Sequence, residues 1–228
     1  MIEYLFLDLD DTILDFHKAE HIAIAKTFLD FGMEPTQTVL DRYSQINILH
    51  WQMLERGEMS REDVLVKRFE ALFGEYGVAA DAAAVAKTYE RYLSIGHYFM
   101  PGAEEAVEAL AKKYRLFLAS NGSAAVQEGR MTSANLYRFF EKVFVSQDIG
   151  HNKPSKAYFD ACFAQIPGFD RSRAMMVGDS LTSDIRGGNN AGILTCWVNP
   201  KHSPKDPEIR VDYEIEALSQ LEALLETL

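Results

Sequence analysis

Short apolar runs recur along the chain and stop at polar residues, a pattern that predicts buried β-strands. Each run is preceded or followed by a segment with helical periodicity, which is typical of parallel strands covered on both faces by helices. The runs occupy residues 3–9, 116–119, 143–145, 174–177 and 193–198, with a weaker one at 212–215. We therefore predict an α/β fold with a Rossmann-like, doubly wound and mainly parallel sheet.

One long stretch breaks this alternation of strand and helix. Residues 17–98 show only helical patterns, separated by breaks at 32–35, 56–58 and 74–81. Several helices without a strand, placed directly after the first strand, indicate a separate lid rather than a part of the sheet. We predict a catalytic core formed by residues 1–16 plus 99–228, and a helical cap at 17–98.

Charge and cysteine usage narrow the classes of partner. The formal net charge is -11 and the pI is near 5.0. Because proteins that bind nucleic acid polymers usually present a basic face, a small phosphorylated metabolite is the better expectation. Cys162 lies in a helical pattern and Cys196 in an apolar strand pattern, so we expect two buried free thiols in a reducing compartment rather than a disulfide. No apolar stretch approaches the roughly 20 residues of a membrane helix, so we expect a cytoplasmic protein with no membrane partner.

Polar side chains gather where the first four predicted strands end. In chain order they are Asp8, Asp10, Ser120, Asn121, Lys153, Asp179 and Asp184. In open α/β sheets ligands bind outside the carboxyl ends of the strands, so we expect these side chains to share one crevice.

The composition of that crevice predicts its chemistry. Four carboxylates close together are costly unless a cation neutralises them. Oxygen ligands without histidine or cysteine favour a hard ion, and in a phosphate site that ion is Mg²⁺. A carboxylate beside the ion can attack phosphorus and form an acyl phosphate, while a lysine and a hydroxyl compensate charge on the transferring group. The sequence thus predicts a magnesium-dependent phosphoryl-transfer site.

The segments that carry these residues resemble the four motifs of the haloacid dehalogenase superfamily. They read DLDDT, SNG, KP and GDSLTSD, and they follow one another in that family's order. The resemblance spans the core, and the inserted segment resembles the family's helical cap. It implies that Asp8 is the nucleophile, and that Asp10 protonates the leaving oxygen and then activates water. Dehalogenases of the superfamily lack an acid at the position of Asp10, so its presence favours phosphate chemistry over carbon–halogen cleavage.

The same resemblance implies the remaining roles in the site. The phosphoryl group would be bound by Ser120, Asn121 and Lys153. The magnesium ion would be held by four residues, of which Asp10 contributes its backbone carbonyl: Asp8, Asp10, Asp179 and Asp184.

Within the cap the resemblance narrows to cytosolic nucleotidases that act on pyrimidine 5'-monophosphates. The matching stretches lie at residues 46–51, 55–57 and 68–69, with two more in the core at 145–150 and 195–197. This resemblance implies hydrolysis of UMP, dUMP and dTMP. Asn47 and Trp51 lie one helical turn apart and are candidates for recognising the base.

Three other functions are compatible with parts of the pattern. A phosphatase of sugar phosphates or another small metabolite would use the same core. A phosphomutase related to β-phosphoglucomutase would need an additional acid or base in the cap, and no residue there is a compelling candidate. A phospho-accepting signalling module would share the acceptor aspartate, but it has no need of a large helical lid.

Overall fold

The computed structural model describes residues 1–228 and contains one six-stranded sheet. The strands are β1 (Tyr4–Leu7), β2 (Arg115–Ser120), β3 (Lys142–Val145), β4 (Ala174–Gly178), β5 (Leu194–Val198) and β6 (Tyr213–Ile215). Their order is β3-β2-β1-β4-β5-β6, and every neighbouring pair is parallel. The predicted Rossmann-like fold is confirmed, with a sheet that is parallel throughout.

Helices follow the strands and fill the long connection after β1. They are α1 (Phe16–Asp30), α2 (Gln37–Glu55), α3 (Arg61–Tyr76), α4 (Ala82–Leu93), α5 (Ala103–Ala111), α6 (Ala124–Ser133), α7 (Ser146–Ile149), α8 (Lys156–Phe163), α9 (Arg186–Ala191) and α10 (Leu221–Leu225). A π-helical turn, Leu181–Ile185, precedes α9. None of these helices is long and apolar enough to cross a lipid bilayer.

The sheet is buried on both faces, which explains why its strands read as continuous apolar runs. Alternate residues of β1 point to opposite faces. Leu5 and Leu7 join one core cluster with Leu118 and Val177, whereas Phe6 joins the other. The second cluster is rich in aromatic rings, and the Phe6 ring centroid lies 5.2 Å from that of Phe117 on the neighbouring strand. β1 therefore contributes side chains to the clusters on both faces of the sheet.

β1 ends two residues before the predicted limit, because the chain turns sharply there. Asp11 has a positive φ of 55°, and its Oδ1 accepts a hydrogen bond of 2.9 Å from the backbone N–H of Phe16. Leu9 lies inside the turn, where its carbonyl accepts hydrogen bonds from the N–H groups of Ile13 and Leu14. The turn ends the strand at the residue before Asp8.

The chain divides into two compact units. One consists of Met1–Phe16 with His97–Leu228 and contains the sheet; the other is His17–Gly96 and is entirely helical. The helical unit is centred on the rings of Tyr43, Phe69 and Tyr89, whose centroids lie 5.1–5.7 Å apart. Side-chain oxygens of Ser60 and Asp81 cap the amino termini of α3 and α4. This unit therefore has its own apolar core and its own helix caps.

Candidate active site

The predicted site residues converge where the strand order reverses. β1 pairs with β2 on one side and with β4 on the other, so the connections leave the sheet in opposite directions at this point. Such a switch leaves a crevice at the carboxyl ends of the strands. Asp8 follows β1, Ser120 ends β2 and Asp179 follows β4. The parallel sheet thus brings together residues that are far apart in the sequence.

Lys153 is the centre of the site. Its side chain is buried, and its Nζ donates three hydrogen bonds of 2.6 Å, to Asp8 Oδ1, Asp184 Oδ1 and the carbonyl of Ala119. An ammonium group has three hydrogens, so every donor is used. Burial alone would lower the pKa of Lys153, but Asp184 and Asp8 outweigh it and raise the pKa above its usual value. The lysine therefore stays charged and fixes both carboxylates.

Asn121 holds the backbone of that lysine in place. Its Oδ1 accepts a hydrogen bond of 2.8 Å from the N–H of Lys153, and its Nδ2 donates one of 2.9 Å to the Lys153 carbonyl. Nδ2 also donates to Ser183 Oγ at 3.2 Å. The side-chain amide thus links the end of β2 to the Lys153 loop and to the turn after β4. The contact of Asn121 with phosphate stays a prediction.

Three acids form a cluster suited to a cation. Carboxylate oxygens of Asp8, Asp179 and Asp184 lie within 4.8 Å of one another. Burial raises the pKa of Asp8 to about 8 although Lys153 opposes the shift, and burial with the charges of Asp184 and Asp8 raises the pKa of Asp179 well above its usual range. These raised pKa values reflect that one ammonium does not balance three ionised carboxylates, so a further cation is needed to keep all three ionised. An all-oxygen donor set with excess negative charge fits a hard divalent ion such as Mg²⁺.

The position of Asp184 depends on a glycine and on the π-helical turn. The backbone N–H of Ser180 donates to Asp184 Oδ2 at 3.1 Å, while Oδ1 accepts from Lys153. A Cβ atom at Gly178 would collide with the Asp184 carboxylate, so the last residue of β4 has to be glycine. The segment GDSLTSD therefore has a steric reason for its first residue as well as chemical reasons for its two acids.

Asp10 turns away from the three-acid cluster toward α6. Its Oδ2 accepts a hydrogen bond of 2.7 Å from Gln127 Nε2, and its Oδ1 is ion-paired with Arg130 Nη1. The Asp10 side chain keeps 28% of its surface exposed, whereas Arg130 is fully buried. Asp8 and Asp10, two residues apart, thus have different partners: an ammonium for one, an amide and a guanidinium for the other.

Gln127 and Arg130 are the site residues that sequence reasoning missed. They lie three residues apart on α6, and both are buried beside the apolar residues Val126 and Met131 of the same helix. Gln127 Nε2 also donates to Ser120 Oγ at 2.8 Å. The available signal was a pair of long polar residues at positions of α6 that face the interior, where a helix normally carries apolar side chains.

The two residues predicted to contact the base lie in the helical unit. Asn47 is buried: its Nδ2 donates to Glu20 Oε1 and its Oδ1 accepts from Arg68 Nη1, each at 2.7 Å. Glu20 also accepts from Ser44, and burial raises the pKa of Glu20 despite these donors. The amide of Asn47 therefore joins a buried carboxylate to a buried guanidinium. Its role in base recognition stays a prediction.

Trp51 is only partly buried. The guanidinium carbon of Arg61 lies 5.6 Å from the centroid of its ring, within the range of a cation–π contact. The ring is thus partly accessible, unlike the amide of Asn47.

Comparison with known proteins identifies relatives along nearly the whole chain. The family described as haloacid dehalogenase-like hydrolase matches residues 4–198. The chain is 41% identical to the HAD-hydrolase YfnB of Bacillus subtilis, over 97% of this chain and 94% of that protein. It is 34% identical to the pyrimidine 5'-nucleotidase PynA of Streptococcus pneumoniae, over 96% and 93% of the two chains. It is 29% identical to the pyrimidine 5'-nucleotidase YjjG of Escherichia coli, over 98% and 97%.

A solved structure agrees with these sequence matches. The crystal structure of YfnB, described as bound to magnesium and as revealing interdomain movement, matches with a TM-score of 0.94 and 40% identity and covers 98% of each chain. The resemblances predicted from the motifs, to the superfamily and to its pyrimidine nucleotidases, are confirmed.

The buried amide of Asn47 generates a prediction about stability. Asn47→Ala removes both hydrogen bonds, so Glu20 Oε1 and Arg68 Nη1 lose the amide that joins them inside the helical unit. The free energy of unfolding should therefore fall by about 1–3 kcal/mol. Denaturant unfolding measures this loss. Gln45→Ala, at an exposed amide on the same helix, is the control and should change stability by less than about 0.5 kcal/mol. Unchanged stability of Asn47→Ala would contradict the structural role.

Proposed function

Because the chain belongs to the haloacid dehalogenase-like hydrolase family, we propose that it is a phosphatase that transfers the phosphoryl group of a small phosphomonoester onto Asp8. We propose pyrimidine nucleoside 5'-monophosphates, namely UMP, dUMP and dTMP, as its substrates. One observation supports the mechanism above all: Asp8 and Asp10, two residues apart, are held by different partners. Asp8 is held by the buried Lys153, and Asp10 is held by α6 with part of its surface exposed.

In the first step an oxygen of Asp8 attacks phosphorus and the bond from phosphorus to the ester oxygen breaks. Asp10 gives its proton to the departing oxygen, and the alcohol leaves. Lys153 keeps the Asp8 carboxylate in one orientation for the attack, and Ser120 contributes a hydroxyl beside the transferring group. In the second step Asp10 takes a proton from water as that water attacks phosphorus. The bond between phosphorus and the Asp8 oxygen breaks and phosphate leaves, so the Asp8 carboxylate and the Asp10 proton are restored.

Magnesium would bind to the three-acid cluster. Asp8 and Asp179 would hold it with the backbone carbonyl of Asp10, and Asp184 would hold it directly or through water. When bound, Mg²⁺ supplies positive charge that balances the cluster and the transferring phosphoryl group. The excess of carboxylates over ammonium groups in the cluster supports this assignment.

The substrate class is supported by the relatives. PynA and YjjG, both named pyrimidine 5'-nucleotidases, match this chain over nearly its full length. The presence of Asp10 supports phosphate chemistry, because cleavage of a carbon–halogen bond needs no proton donor for an alkoxide. Trp51, which is partly accessible, is our candidate for substrate selectivity in the helical unit.

The nucleophile is tested by Asp8→Asn. An amide keeps the size of the side chain and can still accept from Lys153, but it does not attack phosphorus. We expect turnover to fall on the order of 10⁴-fold or more, while the circular dichroism spectrum stays that of the native protein. Asp41→Asn, an exposed acid of α2, is the control and should keep native activity. Native-like turnover of Asp8→Asn would exclude Asp8 as the nucleophile.

The substrate class and the metal are tested together by a screen of phosphorylated metabolites in Mg²⁺ or in EDTA. We expect the highest kcat/KM for UMP, dUMP and dTMP, loss of activity in EDTA and recovery with excess Mg²⁺. A preference for sugar phosphates would overturn the substrate choice but leave the chemistry, and full activity in EDTA would overturn the metal requirement.

A separate experiment distinguishes a hydrolase from a phosphomutase. Oxygen from isotopically labelled water should appear in the released phosphate, whereas a phosphomutase would release no phosphate.

A further inference from the structure

Gln127 bridges two groups of the site that the mechanism uses separately. The two hydrogens of its Nε2 go to Asp10 Oδ2 at 2.7 Å and to Ser120 Oγ at 2.8 Å. Its Oε1 faces Arg130 Nη1 at 3.4 Å, and the same Nη1 is ion-paired with Asp10. The opposite orientation of the amide would place Oε1 against the Asp10 carboxylate. The network therefore fixes which end of Gln127 donates.

This bridge determines how the Ser120 hydroxyl is used. A hydroxyl oxygen offers two lone pairs and one hydrogen. The lone pairs of Ser120 accept from Gln127 Nε2 and from the backbone N–H of Gly122, the latter at 3.1 Å. With both acceptor positions filled, the hydroxyl hydrogen is what Ser120 can offer to a ligand oxygen. Gln127 thus makes Ser120 a donor, which is what a phosphoryl oxygen requires.

The surrounding chain keeps Gln127 in this position. It is only 1% exposed, and a Cβ atom at Gly122 would collide with its amide, so the last residue of the SNG segment is glycine to leave room for it. Arg130, one turn further along α6, is fully buried beside it. The amide of Gln127 therefore packs between the backbone of Gly122 and the guanidinium of Arg130.

We propose that Gln127 is a positioning residue that orients two groups together: the carboxyl group of Asp10, which exchanges the proton, and the hydroxyl of Ser120. Arg130 holds the pair formed by Gln127 and Asp10. This inference rests on the proposed phosphatase function. Gln127 itself touches neither phosphorus nor the leaving oxygen. Its effect through Ser120 should be similar for every ester, whereas its effect through Asp10 should increase with the need of the leaving group for a proton.

The test compares two esters that differ in this need. The oxygen of p-nitrophenol leaves readily without a proton, whereas the 5'-oxygen of UMP has to be protonated. We expect Gln127→Met to lower kcat/KM for UMP roughly 10²-fold, and to lower kcat/KM for p-nitrophenyl phosphate by less than about tenfold. Gln127→Glu keeps the size but replaces the donor with an oxygen, and it should show the same unequal loss. Glu128→Gln, exposed on the same helix, is the control and should match the native protein with both esters.

The outcomes distinguish failure of the positioning role of Gln127 from failure of the proposed phosphatase function. An equal loss with both esters, native-like activity, or failure of both Gln127 variants to fold would overturn the positioning role while leaving the phosphatase assignment intact. If the native protein hydrolysed neither ester, the proposed function would fail and this inference with it. If UMP is not a substrate, the alkyl phosphomonoester that the native protein hydrolyses fastest replaces it in the comparison.

Discussion

The structure of the site depends on one buried ammonium group. Lys153 lies inside the core and uses its three hydrogens on Asp8, Asp184 and the carbonyl at Ala119. An ammonium in the interior is unfavourable unless it is fully paired, and the carboxylates around it are unfavourable unless it is charged. These requirements tie the ends of β1 and β2 to the turn after β4. Asn121 and Gly178 belong to the same constraint, because one fixes the Lys153 backbone and the other leaves room for Asp184.

A second network gives Asp10 a different environment from Asp8. Asp8 is buried against a cation and beside two other acids, so its electrostatic surroundings suit an acceptor that works with a metal ion. Asp10 accepts hydrogen bonds from Gln127 and Arg130, which fix its orientation. Because part of its side chain is exposed, it stays accessible to a leaving oxygen or to water. Two identical side chains can therefore take different roles because two different elements hold them.

Much of the fold and of the candidate site could be predicted from the sequence, for physical reasons. The strands were predictable because burial on both faces requires continuous apolar runs, and the strand-end residues followed because parallel strands bring their carboxyl ends together. The contacts of Gln127 and Arg130 with Asp10 could not be predicted, because a polar residue in a helix does not indicate which distant carboxylate it contacts. Asn47 shows the same limit: its spacing from Trp51 predicted a shared face, but packing of three helices decides that its amide lies between Glu20 and Arg68.

The central claim is that the phosphoryl group passes through Asp8 before it reaches water. The most direct measurement is the stereochemical course at phosphorus, followed with a phosphomonoester made chiral by oxygen isotopes and hydrolysed in isotopically labelled water. Each in-line displacement inverts the configuration, so transfer to Asp8 and then to water gives net retention. Net inversion would show that water attacks the ester directly, and it would contradict the role assigned to Asp8.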